Sequence, residues 1–245
     1  MTMPESFVQI PPGWKHPDKT LIIAASERTG TEMLCRLVDS TGLFKRTTEA
    51  FNDQAYREVG IEAYTMAEML AAIDTLSRSD KNLIGLKVFW HHMVEVERLG
   101  LLDHAFPDSL YVFLRREDIL GQAISFVRAR QTNEWTYGED RSSNYYYDEA
   151  AITKAIYDFA QANAWWEFFF ATRKVDVLRL TYEQLDADPM GVTADIVKRL
   201  GFDPHPANPD AFSLFKQRDA LSEKWRQMYV ASYRRPLPGI YGDAA

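Results

Sequence analysis

Ala25-Ser26-Glu27-Arg28-Thr29-Gly30-Thr31-Glu32-Met33 stands between an apolar run, Leu21-Ile22-Ile23-Ala24, and a segment with Leu34, Leu37, Val38 and Thr41 at spacings of three and four. The run reads as a buried strand and the spacing as one face of a helix. Small polar residues between a strand and a helix start make an anion site. The N–H groups of the first helical turn have no partner within the helix, and the helix dipole favours negative charge there. The stretch predicts a strand, a phosphate-holding loop and a helix, with Ser26, Arg28, Thr29, Gly30 and Thr31 as the candidate binding residues. The bland alternative is a plain structural connection, since turns rich in glycine and hydroxyls occur in that role too.

A Walker A loop runs Gly, four residues, then Gly-Lys-Ser/Thr, so that lysine reaches the terminal phosphates and the hydroxyl holds magnesium. Here Thr31 and Glu32 follow Gly30, no lysine is present, and position 25 is Ala. That disfavours a kinase using a triphosphate and magnesium. A second strand, Leu110-Tyr111-Val112-Phe113-Leu114, runs into Arg115-Arg116-Glu117-Asp118 and a helix carrying Ile119, Ala123, Ser125, Phe126, Val127 and Arg130. A guanidinium offers phosphate a planar fork of donors, and a hydroxyl on the helix completes the cage. Arg115 and Arg116 both stand where such a fork could be offered. In isolation such an arginine pair would be expected to meet only Glu117, Asp118 or solvent.

Strands alternate with helices along the chain, which implies parallel pairing with helices on both faces. Residues 1–19, with Pro11-Pro12-Gly13 and Pro17, read as an irregular lead-in, and 43–60 as a long connection suited to an active-site loop. Glu62 to Leu76 has the period of an amphipathic helix, and Leu83 to Phe89 reads as a strand with Lys87 near its C-terminal end, where ligands gather in open α/β sheets. Residues 133–148 read as a tyrosine-rich surface loop, Glu149 to Thr172 as a long helix, and Val175 to Leu180 as a strand, followed by Thr181-Tyr182-Glu183-Gln184-Leu185 and a helix ending at Gly201. The block Trp165-Trp166-Glu167-Phe168-Phe169-Phe170 carries too many rings for one helix face. Core packing is the default, and a substrate or dimer surface is the alternative for the rings left over.

At 245 residues and 46% hydrophobic content the chain is expected to form one α/β domain spanning 1–245. A formal charge of −7 argues against a nucleic-acid partner. Within that acidic background Arg28, Arg115, Arg116, Arg128 and Arg130 stand out as a candidate anion focus. Cys35, the single cysteine, has no neighbouring histidine and reads as a packing residue. His91-His92 follows the Lys87 strand, and no histidine pair has the spacing of the helical zinc motif, so no metal is expected. No basic-then-apolar leader and no apolar run approaching the ~20 residues of a membrane span occurs, and a cytoplasmic enzyme is expected.

The wording of the motifs narrows this further. Strand, Ser26-x-Arg28-x-Gly30-Thr31 and helix resemble the 5′-phosphosulfate loop of sulfotransferases. Gly42-Leu43-Phe44-Lys45-Arg46-Thr47-Thr48-Glu49-Ala50-Phe51, Gly85-Leu86-Lys87-Val88-Phe89-Trp90 and Gln122-Ala123-Ile124-Ser125-Phe126-Val127-Arg128-Ala129-Arg130-Gln131-Thr132 resemble the Stf0-type bacterial sulfotransferases, as does a stretch around Gln217, Ser222 and Trp225. The resemblance implies a P-loop NTPase-like three-layer α/β fold with a central parallel sheet. It also implies transfer of a sulfuryl group from 3′-phosphoadenylyl sulfate (PAPS) to a hydroxyl of a carbohydrate or glycolipid acceptor, leaving 3′-phosphoadenosine 5′-phosphate (PAP), with no metal. Glu49 matches the family's general base, Lys87 its cation for the bridging oxygen, and Arg116 and Ser125 its 3′-phosphate clamp, with Arg115 as the alternative to Arg116. One of His91 and His92 is a candidate to hydrogen-bond the acceptor sugar or to act as the base in place of Glu49. A homodimer is plausible on the same ground. Position 32, a hydroxyl in the family's pattern, is Glu here. A carboxylate there is expected to lend only its backbone N–H while its side chain turns to water, favoured in a first helical turn by the dipole. A non-catalytic protein binding a 3′-phosphonucleotide on the same fold is the alternative.

Overall fold

The computed structural model describes residues 10, 12–49, 51–52, 66–98, 100–133, 135, 145–203, 207–208 and 219–233. Along the chain the elements are β1 (Lys19–Ala25), α1 (Thr31–Ser40), α2 (Met66–Ser77), β2 (Leu83–Phe89), α3 (Trp90–Arg98), α4 (Leu101–Ala105), β3 (Ser109–Arg115), α5 (Ile119–Thr132), α6 (Glu149–Arg173), β4 (Val177–Thr181), α7 (Tyr182–Ala187), α8 (Pro189–Arg199) and α9 (Ala220–Tyr233). They fall into two units, Met1–Glu117 with Ala160–Leu214, and Asp118–Phe159 with Phe215–Ala245.

The first unit holds the sheet. Its four strands run in the order β2-β1-β3-β4, and every pair is parallel. Because side chains alternate across a strand, each strand feeds two cores. Ile22, Ala24, Leu86, Val88, Tyr111 and Phe113 pack against Leu70 and Ile73 of α2, Met93 of α3, and Trp166, Phe169 and Phe170 of α6. Leu21, Ile23, Leu83, Val112 and Leu114 face the other way, onto Leu34 and Leu37 of α1, Leu185 of α7, and Ile196 and Val197 of α8. Helices therefore cover both faces of a parallel sheet, the α/β layering expected from the alternation of strands and helices. β2 lies on one side of β1 and β3 on the other, so the strand order reverses at β1. In open α/β sheets, ligands bind in the crevice at the carboxyl ends of strands flanking such a switch point.

Three local features have identifiable causes. Thr181 caps a short helix of its own, and the helix expected to end at Gly201 starts at Pro189, because Asp188 caps it and Pro189 cannot donate to the helix before. His91 and His92 stand in the first turn of α3, since the chain turns helical at Trp90 directly after β2. The aromatic block divides by exposure. Trp166, Phe169 and Phe170 are buried, while Trp165 and Phe168 are 44% and 58% exposed, with the Trp165 ring stacked on Trp90 at 5.9 Å. The expected helix start at 62–65 and most of the 133–148 loop lie outside the described residues.

The second unit packs Ala123, Ile124 and Val127 of α5 with Ile152, Ala155 and Phe159 of α6 and Trp225 and Tyr229 of α9. Arg128 donates to both carboxylate oxygens of Asp219 at 2.7 and 2.8 Å and also meets the Ser222 hydroxyl. Burial would raise the Asp219 carboxyl, but these hydrogen bonds hold it down at about 2. Arg128 thus belongs to the scaffold that docks the start of α9, which corrects its place in the proposed arginine focus. Gln217 lies outside the described residues.

Candidate active site

β1 ends at Ala25, whose carbonyl accepts the indole N–H of buried Trp166 at 3.0 Å. The chain then turns through Arg28 at φ 63° and Gly30 at φ 88°, while the Thr29 hydroxyl donates back to the Ser26 carbonyl at 2.9 Å. Left-handed backbone is easy for glycine and unusual for arginine. Gly30 is needed for a second reason: a Cβ there would lie 2.5 Å from Cδ2 of Tyr182. Gly30 is also the N-cap of α1, and among the described residues no side chain caps that helix. The first intrahelical bond is Leu34 N–H to Gly30 O at 3.2 Å. The N–H groups of Thr31, Glu32 and Met33 are therefore left to point out of the helix end, where the dipole draws an anion. The Glu32 carboxylate accepts from Arg36 at 2.8 Å, one turn on and half exposed.

Arg116 follows β3, the strand next to β1. Its Nη1 reaches the Arg28 carbonyl at 3.4 Å, and its guanidinium lies 4.9 Å from the Tyr182 ring centroid. Its Nε is buried and has no hydrogen-bond partner among the described residues. A buried, unsatisfied donor costs free energy unless something accepts from it, which suits a site that receives an anion. Arg115 is exposed on the strand end, and it is Arg116 that reaches the loop. Tyr182 touches both loop and arginine, yet its only signal in the sequence was its place just after a strand.

Glu49 and Lys87 meet at the outer edge of β2. Thr48 pairs with Leu86 as an isolated parallel bridge, its N–H bonding Gly85 O at 3.2 Å and its carbonyl accepting Lys87 N–H at 2.7 Å. This register sets residue 49 beside residue 87. Glu49 Oε2 lies 2.9 Å from Lys87 Nζ, with side chains 18% and 16% exposed, and Glu49 Oε1 accepts from Asn52 Nδ2 at 3.0 Å. Lys87 shares its strand face with Leu83, the face covered by α1. Burial acts most strongly on the Lys87 ammonium and would lower its pKa, but the acidic groups around it, Glu49 foremost, together outweigh this and raise it. Lys87 is accordingly a charged lysine and Glu49 its counter-ion.

The segment leading to Glu49 is latched from three sides. The Asp39 carboxylate takes the Thr47 N–H at 2.9 Å and the Thr47 hydroxyl at 2.7 Å. The buried Ser77 hydroxyl lies 2.8 Å from Arg46 O and accepts the Gly85 N–H at 3.0 Å. Gly85 leaves room for Thr47, because a Cβ there would sit 2.5 Å from Thr47 Oγ1 and 3.3 Å from the Phe44 ring. Gly85→Ala is expected to destabilise the protein by about 1–3 kcal/mol, the usual range for overpacking, and to draw Glu49 away from Lys87. Calorimetric melting checks the first effect and turnover the second.

Ser26, Arg28, Thr29, Gly30, Thr31, Arg116, Lys87 and Glu49 all stand in the first unit, at or beyond the carboxyl ends of neighbouring strands, whereas Ser125 stands on α5 of the second. Burial pushes the Cys35 thiol far up, so it is a packing group and not a nucleophile. Among the described residues no group of three or more His, Cys, Asp and Glu side chains is placed to hold a metal. No described helix is long and apolar enough to cross a membrane.

The Stf0 sulphotransferase family model matches residues 20–232, a span that takes in both units. A trehalose 2-sulfotransferase of Mycobacterium tuberculosis is 23% identical over 256 residues, covering 87% of this chain and 95% of that protein. A trehalose 2-sulfotransferase of Mycolicibacterium smegmatis is 25% identical over 262 residues, covering 90% of this chain and 97% of that protein. Among solved structures, a sulfotransferase from Alicyclobacillus acidocaldarius shares the fold, with a TM-score of 0.50 and 16% identity over 90% of this chain and 94% of that one. A family match over most of the chain, with two relatives aligned nearly end to end, makes this chain a member of the Stf0 sulphotransferase family and an enzyme of the sulfotransferase class.

Proposed function

We propose that the chain transfers a sulfuryl group from PAPS to a hydroxyl of a carbohydrate or glycolipid acceptor, with Glu49 taking the hydroxyl proton. The observation that carries this reading is the pairing of a carboxylate and an ammonium at 2.9 Å on β2, the strand beside the one that leads into the anion loop. PAPS supplies the sulfuryl group and a phosphate leaving group. The loop 26–31 and the first turn of α1 hold the 5′-phosphosulfate by backbone N–H groups, and Arg116 offers its buried Nε and its fork to the 3′-phosphate. Ser125 joins that role on sequence resemblance alone. A sugar hydroxyl is too weak an acid to ionise first, so Glu49 accepts its proton as the oxygen bonds to sulfur. Lys87 has three N–H donors. One keeps Glu49 oriented while another neutralises the oxygen on which charge develops as the S–O bond to phosphate breaks.

The match across residues 20–232 supports a single catalytic domain made of both units. The same proposal includes a cytoplasmic location and a homodimer, with the exposed rings of Trp165 and Phe168 as its contact surface.

Calorimetry with PAP, AMP and ATP, without metal and then with magnesium, tests the cofactor. PAP is expected to bind without metal, tighter than AMP by about tenfold to a hundredfold, the range for a charge-assisted hydrogen bond or two. Equal affinity for PAP and AMP, or binding that needs magnesium and a triphosphate, would overturn the reading.

A further inference from the structure

Two residues past the end of β1 stands Glu27, and two residues past the end of β2 stands His91. The strands are neighbours with Ala25 opposite Phe89, so both side chains leave the same edge of the sheet. His91 Nδ1 lies 3.4 Å from Glu27 Oε1, with the His91 side chain 54% exposed and Glu27 24% exposed. A chain of contacts joins this pair to Glu49. The His91 ring is 5.9 Å from that of Phe89, the Phe89 ring is 5.4 Å from Lys87 Nζ, and Lys87 holds Glu49. His92 packs edge-on against His91 at 4.0 Å between ring centroids.

We propose that Glu27 and His91 form the acceptor subsite, binding two neighbouring hydroxyls of a carbohydrate while a hydroxyl of the same molecule faces Glu49. The proposal rests on the sulfuryl-transfer reading given above. The chemistry of the pair selects the ligand. A carboxylate accepts hydrogen bonds only, whereas an imidazole with Nδ1 toward that carboxylate presents its Nε2 edge as a second polar site. A sugar diol, in which each hydroxyl both donates and accepts, satisfies the two at once. An anionic acceptor group would be repelled by Glu27, and a metal ion would lack further ligands among the described residues.

Steady-state kinetics at saturating PAPS, with trehalose, glucose and their monodeoxy analogues as acceptors, test the subsite on wild type, His91→Ala and Glu27→Gln. Each variant is expected to raise the acceptor KM about tenfold or more, the cost of leaving one polar group unpaired, with a smaller fall in kcat and the same calorimetric affinity for PAP. One monodeoxy analogue should be penalised in wild type and not further penalised in His91→Ala, the non-additivity expected of groups in contact. An unchanged acceptor KM in both variants, with wild type active, would overturn the subsite and leave the sulfotransferase reading standing. A wild type that binds PAP yet sulfates none of the sugars would overturn the carbohydrate reading and the subsite together. That failure is distinguishable because it appears without any mutation.

Discussion

Glu49→Gln is expected to lower kcat by about 10²–10⁴, the span that general-base catalysis contributes, while PAP affinity changes by less than about threefold, or under 1 kcal/mol. The substitution keeps the size of the side chain and leaves an amide oxygen for Asn52 or Lys87, so the segment latched by Asp39, Ser77 and Gly85 has no cause to move. What it removes is the one property an amide cannot replace, the capacity to accept a proton. A competing role is visible in the geometry: Glu49 is also the counter-ion of a mostly buried lysine. If that were its whole contribution, loss would show as a lower melting temperature and weaker PAPS binding, with turnover per bound enzyme retained. Single-turnover measurements with PAPS pre-bound and a sugar acceptor added separate the two. A rate within tenfold of wild type would remove Glu49 as the base.

Local patterns were legible in the sequence, and partners far along the chain were not. The β1–loop–α1 unit was readable because every feature that defines it lies within about twenty consecutive residues: apolar run, small polar turn, helical spacing. The same holds for β2, which runs over Leu83–Phe89 as expected, and for Arg116 at the end of β3. The latch beneath Glu49 was not readable. Ser77 meets Arg46 across 31 positions, and nothing in the spacing of a serine, a threonine and a glycine announces that they converge. Arg128 was misassigned for the same reason, since Asp219 lies 91 positions away. Tyr182 had only its place just after a strand, and Asn52 had no pattern at all. Their importance follows from what they touch, a glycine with no room for a Cβ in one case and the second carboxylate oxygen of Glu49 in the other. Glu32 shows the reverse: its partner Arg36 is four residues on, the spacing at which two side chains on a helix meet.

Arg116→Ala is expected to lower PAP affinity by about 2–4 kcal/mol, roughly thirtyfold to a thousandfold, the loss of one or two charge-assisted hydrogen bonds and the stranding of the phosphate they served. The side chain is already held in place, by the Arg28 carbonyl at 3.4 Å and by the Tyr182 ring beneath its guanidinium. Little conformational entropy is lost when a ligand arrives, so nearly the full interaction shows in affinity. AMP, which lacks the 3′-phosphate, should bind wild type and variant alike, so the preference for PAP over AMP should collapse. Arg116→Lys should recover only part of it, because an ammonium keeps the charge but loses the planar fork and the stacking on Tyr182. The comparison of ligands matters more than the size of the loss. Arg116 also touches the loop that holds the 5′ end, through the Arg28 carbonyl. Were that support its whole role, PAP and AMP would weaken by the same factor, and the 3′-phosphate would have to be read by other residues.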